Sequence, residues 1–155
     1  MKHINVLAGF LLLTALTEFA HAAGPEIHSC EFEVKARCAS GTASVTLADG
    51  VVTRVEVDAD WCGQQGSPGY TCTIDSSRGD KDSKWSEDGS ATLIDSLSPF
   101  NPGQPDRVKV TVGRTVSIDL EKAQSLGRCG AGAELPKAIV IPAQGKVCRV
   151  WLATP

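Results

Sequence analysis

The chain has 155 residues, 42% of them hydrophobic and 21% charged, and a formal net charge of −3. A mildly acidic chain with no basic stripe excludes an electrostatic nucleic-acid binder, and its length is that of one domain once a leader is set aside. Six cysteines set against three histidines point to a disulfide framework rather than a metal-ligating cluster.

Lys2 and His3 open the chain, and an apolar run follows with Leu7, Ala8, Phe10, Leu11, Leu12 and Leu13 at its heart. It decays into Thr17, Glu18 and Phe19, and Ala20-His21-Ala22 supplies a small-x-small cleavage pattern. This predicts a signal peptide over 1–22. The apolar run is shorter than the roughly 20 residues a bilayer requires, and no similar run follows. Residues 23–155 are then expected to be a single extracytoplasmic domain, periplasmic or secreted, without a stable membrane anchor after cleavage.

In that mature part, short runs of Val, Thr and Ile alternate with Gly, Asp and Pro, the pattern of an all-β domain. Residues 31–38 place Phe32, Val34, Ala36 and Cys38 on one face and Glu31, Glu33, Lys35 and Arg37 on the other. Residues 42–58 read as a hairpin. A three-residue Ala48-Asp49-Gly50 loop would pair Leu47 with Val51, Val45 with Thr53 and Ala43 with Val55, whereas a two-residue Asp49-Gly50 loop would set Val45 against Arg54 and mix the faces. Tyr70–Asp75 reads as a short strand.

Residues 75–105 read as a long polar loop, Gly-, Ser- and Asp-rich and interrupted by Pro, with only Ala91–Ile94 strand-like. Such loops carry function disproportionately. Residues 106–120 form a second hairpin, with Val112 facing Val116, Val110 facing Ile118 and Val108 facing Leu120. Residues 120–126 contain good helix formers before Gly127, which predicts one short helix. Ala138–Ile141 and Lys146–Leu152 are the last strands, with Trp151 expected in the core. The sum is a small disulfide-stabilised antiparallel β-sandwich or barrel of seven or eight short strands. An immunoglobulin pattern is not evident, because Trp61 sits directly beside Cys62.

Cys30, Cys38, Cys62, Cys72, Cys129 and Cys148 all lie in the mature part, an even number in an exported chain. Sequence alone does not select their pairing. The simplest expectation joins neighbours: Cys30 to Cys38, Cys62 to Cys72, Cys129 to Cys148.

No catalytic residue, metal site or cofactor is expected. His28 is the sole histidine after the leader, and it stands close to the new N-terminus, where a triad base is hard to hold. Asp58 and Asp60 beside Trp61 are the one carboxylate pair suited to glycoside hydrolysis. The acids at 75, 80, 82, 87 and 88 do not follow calcium-loop spacing and have Lys81 and Lys84 among them. Arg78-Gly79-Asp80 is a tripeptide too short to weigh. Trp85, an aromatic within a polar loop, is the type of residue that anchors an interface. Trp61 and Tyr70 are candidate sugar platforms.

These features lead to the expectation of an extracytoplasmic protein-binding domain, of the inhibitor or immunity type, that blocks a secreted or envelope hydrolase. The loop would cover the partner's cleft, with Trp85 buried and Arg78, Asp80, Lys81, Glu87 and Asp88 at the rim. The alternatives are a carbohydrate-binding or envelope structural module and a small carboxylate-dependent hydrolase.

Overall fold

Alternating β-branched residues punctuated by turn formers generate ten strands among the residues described by the computed structural model, 24–63, 69–96, 106–123, 128–129 and 133–152. They are β1 (Glu26–Val34), β2 (Ala39–Ala48), β3 (Val51–Trp61), β4 (Tyr70–Ser77), β5 (Ser83–Asp88), β6 (Ala91–Ser96), β7 (Asp106–Val112), β8 (Val116–Asp119), β9 (Ala138–Ile141) and β10 (Arg149–Trp151). The first four make one sheet in the order β1-β2-β3-β4, and the last six make a second in the order β10-β9-β8-β7-β6-β5. Each sheet is an antiparallel meander, because every connection joins spatial neighbours. The two stack as a sandwich and do not close into a barrel.

Strand alternation decides what lies between the sheets. Val45, Val55, Val57 and Ile74 come from the first sheet, and Ile94, Val108, Val110, Ile118, Ile139 and Ile141 from the second, all buried. Phe32 is the one buried phenylalanine named in this core, and it lies directly across from Gly41. A Cβ at Gly41 would stand 2.0 Å from the Asp58 carbonyl oxygen and 2.6 Å from the Phe32 ring, so glycine is what admits that ring.

The first hairpin departs from expectation. Its turn is the two-residue one: Asp49 (φ +52°) and Gly50 (φ +77°) are both left-handed, and Ala48 pairs with Val51. The predicted mixing of faces is avoided by a bulge. Leu47 pairs with Val52 and Thr46 with Arg54, which leaves Thr53 as the extra residue and restores Val45 to Val55 and Ala43 to Val57. The second hairpin has the expected register, Val112 to Val116 and Val110 to Ile118.

Other corrections follow from hydrogen bonding that alternation cannot reveal. The first strand ends at Val34. Lys35–Arg37 form a 3-10 turn and Cys38 takes a left-handed backbone (φ +48°), so Ala36 and Cys38 do not continue it. Residues 75–105 are not one loop. They include the end of β4 and the β5–β6 hairpin, while 97–105 lie outside the described residues. Among the described residues the strand number is therefore ten, not seven or eight. Of the expected helix, residues 120–123 form a turn closed by the Ala123 N–H on the Leu120 carbonyl (2.9 Å), and 124–127 lie outside the described residues. Trp151 is half exposed on the outer face of β10, because its neighbour Val150, paired with Ile139, takes the inward position.

No expected disulfide forms. The bridges are Cys30–Cys148, Cys38–Cys62 and Cys72–Cys129. Neighbours in sequence lose because the cysteines meet through sheet pairing. Cys30 on the free edge of β1 meets the strand-like segment before β10, where the Glu31 N–H binds the Lys146 carbonyl (2.7 Å) and the Cys148 N–H binds the Glu31 carbonyl (2.8 Å). Such bridges belong to an oxidising, extracellular type of compartment. Among the described residues no helix is long and apolar enough to cross a membrane.

Candidate functional site

The residues expected to form a binding loop hold the sandwich together instead. Trp85 lies directly across from Ile94, a fully buried residue, so its ring is on the inner face of β5 and packs half-buried against the core. Its indole N–H donates to Ser83 Oγ at 2.9 Å. The Arg78 guanidinium lies over the ring, 5.1 Å from its centroid, within cation–π range. Arg78 also donates from Nε to the Val52 carbonyl (3.1 Å) and pairs with Glu87. Its backbone N–H donates to the Thr53 carbonyl at 2.8 Å. The bulge residue thus receives the chain that crosses from β4 to β5.

Glu87 is held below the usual carboxylate range, chiefly by the hydrogen bond from Arg78 and next by that from Thr92. Asp80 caps the crossover turn by accepting the Ser77 N–H. Lys81 and Asp88 are exposed. Asp88 lines a shallow charged groove with Leu93, Arg107, Lys109 and Glu121 on the outer face of the second sheet. The six proposed partner contacts are therefore not one tip: the exposed Arg78–Glu87 pair clasps the half-buried Trp85, and Asp80, Lys81 and Asp88 lie exposed around them.

Trp61 and Tyr70 are brought together. They are directly opposed at the last rung between β3 and β4, on one face of the sheet. Trp61 lines a cavity of about 370 Å³ with Arg37, Ala133 and Glu134. Arg37 immediately precedes Cys38 and Trp61 immediately precedes Cys62, so the Cys38–Cys62 bridge sets these two walls side by side. The Cys62 N–H donates to the Cys38 carbonyl at 3.0 Å, which ties the same two backbones. The Trp61 indole nitrogen is buried and has no hydrogen-bond partner among the described residues. The indole nitrogen is therefore turned away from solvent, and what Trp61 presents to the cavity is apolar ring surface. The cavity thus offers an aromatic surface, a guanidinium and a carboxylate.

Arg37 and Glu134 were not singled out from sequence. Correct cysteine pairing would have pointed to Arg37, since each end of the Cys38–Cys62 bridge follows a cavity residue. Nothing local marks Glu134.

The carboxylate pair is differently placed. Asp58 and Asp60 lie exposed on the outer face of β3. Asp60 accepts a hydrogen bond from Thr71 Oγ1 at 2.7 Å. Asp58 contributes with Glu31, Glu56 and Lys146 to an open concavity on that face. His28 stands on β1 with Nε2 3.0 Å from the Glu26 carboxylate. Among the described residues no three of His, Cys, Asp and Glu gather to hold a metal ion. No protein-family model, curated protein or solved structure matches the chain.

Proposed function

We propose that the protein is an extracytoplasmic binding module, without catalytic residues, that holds a glycan in the cleft of Arg37, Trp61 and Glu134 with Tyr70 beside it. The observation that carries this reading is the cavity of about 370 Å³ in which an aromatic wall, Trp61, stands with a cation, Arg37, and an anion, Glu134. A sugar ring matches that combination. Its C–H face stacks on an indole, and its hydroxyls accept from Arg37 and donate to Glu134. The leader and the disulfides support a place outside the cytoplasm, where such ligands occur. The blockade mechanism centred on Trp85 loses its support, since that ring is committed to the core and to Arg78.

The test is sedimentation of oxidised mature protein with insoluble peptidoglycan, chitin and β-glucan, beside Trp61→Phe, Trp61→Ala and Tyr70→Ala. Trp61→Ala should lose at least tenfold in retention. Trp61→Phe keeps a smaller stacking ring, so it should be retained more than Trp61→Ala. No retention on any polymer, or retention indifferent to Trp61, would reject the assignment. Capture of a stoichiometric envelope protein that survives Trp61→Ala and is lost with Trp151→Ala would move the function to protein binding on the outer face of β10.

A further inference from the structure

The three bridges are not equivalent. Cys30, Cys72, Cys129 and Cys148 are all buried, at 0–6% exposure, whereas Cys38 and Cys62 are exposed. A thiolate must reach a disulfide sulfur to open it, so access ranks the bridges before any other factor. The exposed bridge is also the one flanked by cleft residues, Arg37 on one side and Trp61 on the other. Ala39 with Trp61 is the last paired rung of β2 and β3, and the bridge lies one residue beyond it. On the β2 side the chain reaches that rung through Cys38, a non-glycine residue with left-handed φ, a conformation uncommon without an outside constraint. What holds it is the bridge, the 3.0 Å bond between the Cys62 N–H and Cys38 carbonyl, and the 3.2 Å bond from the Cys38 N–H to the Lys35 carbonyl.

We infer that Cys38–Cys62 is a redox-sensitive clasp on the ligand cleft: an external dithiol reductant opens it selectively, the last rung frays, and Arg37 and Trp61 separate. The exchange is balanced. One thiolate of the reductant attacks Cys38 or Cys62 sulfur and the bridge breaks with the other cysteine leaving as thiolate. The second reductant thiol then displaces the mixed disulfide. Two electrons and two protons end on Cys38 and Cys62 as free thiols, and the reductant ends as a disulfide. The remaining bridges stay closed, and the Val- and Ile-rich core between the sheets is untouched. The effect is local loosening at one end of a folded sandwich. Its consequence for ligand binding rests on the glycan-cleft reading; its chemical selectivity does not.

The experiment titrates oxidised mature protein with dithiothreitol, alkylates at each step and maps the modified cysteines by mass spectrometry. Acrylamide quenching of tryptophan fluorescence is followed in parallel, and the contribution of Trp61 is taken as the part absent from Trp61→Phe. Cys38 and Cys62 should be alkylated at a reductant concentration at least tenfold below that for the other four, with a rise in Trp61 quenching at the same step. The Cys38→Ser/Cys62→Ser double variant should show that raised quenching without reductant while its thermal transition remains cooperative. Simultaneous opening of all three bridges, earlier opening of Cys30–Cys148 or Cys72–Cys129, or selective opening with unchanged Trp61 quenching would each overturn the clasp. These readouts need no ligand. Failure of the clasp is thereby separate from failure of glycan retention by the fully oxidised protein.

Discussion

Truncating Trp85 to alanine separates a loop-tip anchor from a structural clasp. An exposed tip residue could be removed with a stability change within about 0.5 kcal/mol. The structure demands more. Replacing a fully buried Trp or Phe by alanine costs about 3–5 kcal/mol; Trp85 is half-buried, so about half of that applies. Loss of the cation–π contact with Arg78 adds about 0.5–1 kcal/mol. Loss of the indole bond to Ser83 adds about 0.5–1 kcal/mol, discounted because both groups reach water when freed. The expected destabilisation is about 2.5–4.5 kcal/mol, or roughly 9–16 °C in Tm for a domain of this size. Thermal and urea unfolding of the oxidised mature protein measure it. Trp151→Ala removes a ring that is 49% exposed on the outer face and makes neither of these two contacts among the described residues; it is the internal control and should cost clearly less than Trp85→Ala, about 1–2 kcal/mol. If Trp85→Ala unfolds with the wild-type midpoint, the inner-face placement of β5 is refuted and the exposed-loop mechanism regains its standing.

Gly41→Ala should destabilise by at least about 1–3 kcal/mol, because its Cβ meets the Asp58 carbonyl and the Phe32 ring and both must move; chemical denaturation reads the loss, and an unchanged midpoint would contradict the close approach. Glu87→Gln should be less stable than wild type at neutral pH and equal to it in acid. The folded carboxyl is held low by Arg78, so it stabilises the fold above its unfolded pKa, and that contribution disappears as pH falls through the folded value. The two unfolding midpoints should converge between about pH 5 and pH 3, with a smaller gap at high salt because the pair is exposed; a constant gap across that range would show that the ion pair carries no stability.

What was legible in the sequence was whatever alternation encodes. Val110 and Val112 found Ile118 and Val116 because β-branched residues at period two admit one buried register. The first hairpin shows the limit of the same reasoning. Val55 lies on the expected inner face, but Val51, expected there opposite Leu47, is exposed and Val52 takes its place; the expectation lengthens the turn, whereas the chain keeps a two-residue turn and adds a bulge at Thr53. A bulge is chosen by the carbonyls it frees, and its recipient, Arg78, lies 25 positions away in sequence. The Ser83–Asp88 strand was invisible for a related reason. An edge strand with two half-buried residues in six, Ser83 and Trp85, and only one of them apolar, has little hydrophobic alternation to display, and its polarity protects an open edge from pairing with other chains. Cysteine pairing was the largest error. Nearest-neighbour bridging assumes local loops, whereas two of these bridges span 118 and 57 residues and record which edges meet in the folded sheets.

The distribution of cross-ties supports placing the proposed clasp at the cleft. Backbone ladders hold each sheet internally, but among the described residues the strands of the two sheets are joined by no ladder longer than the single Glu31–Val147 bridge, and the core between them is aliphatic and non-directional. Directional ties therefore gather at the margins. Cys30–Cys148 and the paired Glu31 segment hold one side. Arg78, Trp85 and Glu87 hold the crossover side. Cys72–Cys129, with Asp106 bound to Arg128 at 2.7 Å beside it, pins the segment after β8 onto β4. Each of these margins has a covalent or ionic tie backed by buried side chains. The end of the sandwich at Arg37 and Trp61 has an exposed disulfide and a short set of backbone bonds. Opening one bond there is expected to alter ligand geometry without unfolding the domain. At either other disulfide-linked margin, opening the bridge would expose buried thiols and loosen the core itself.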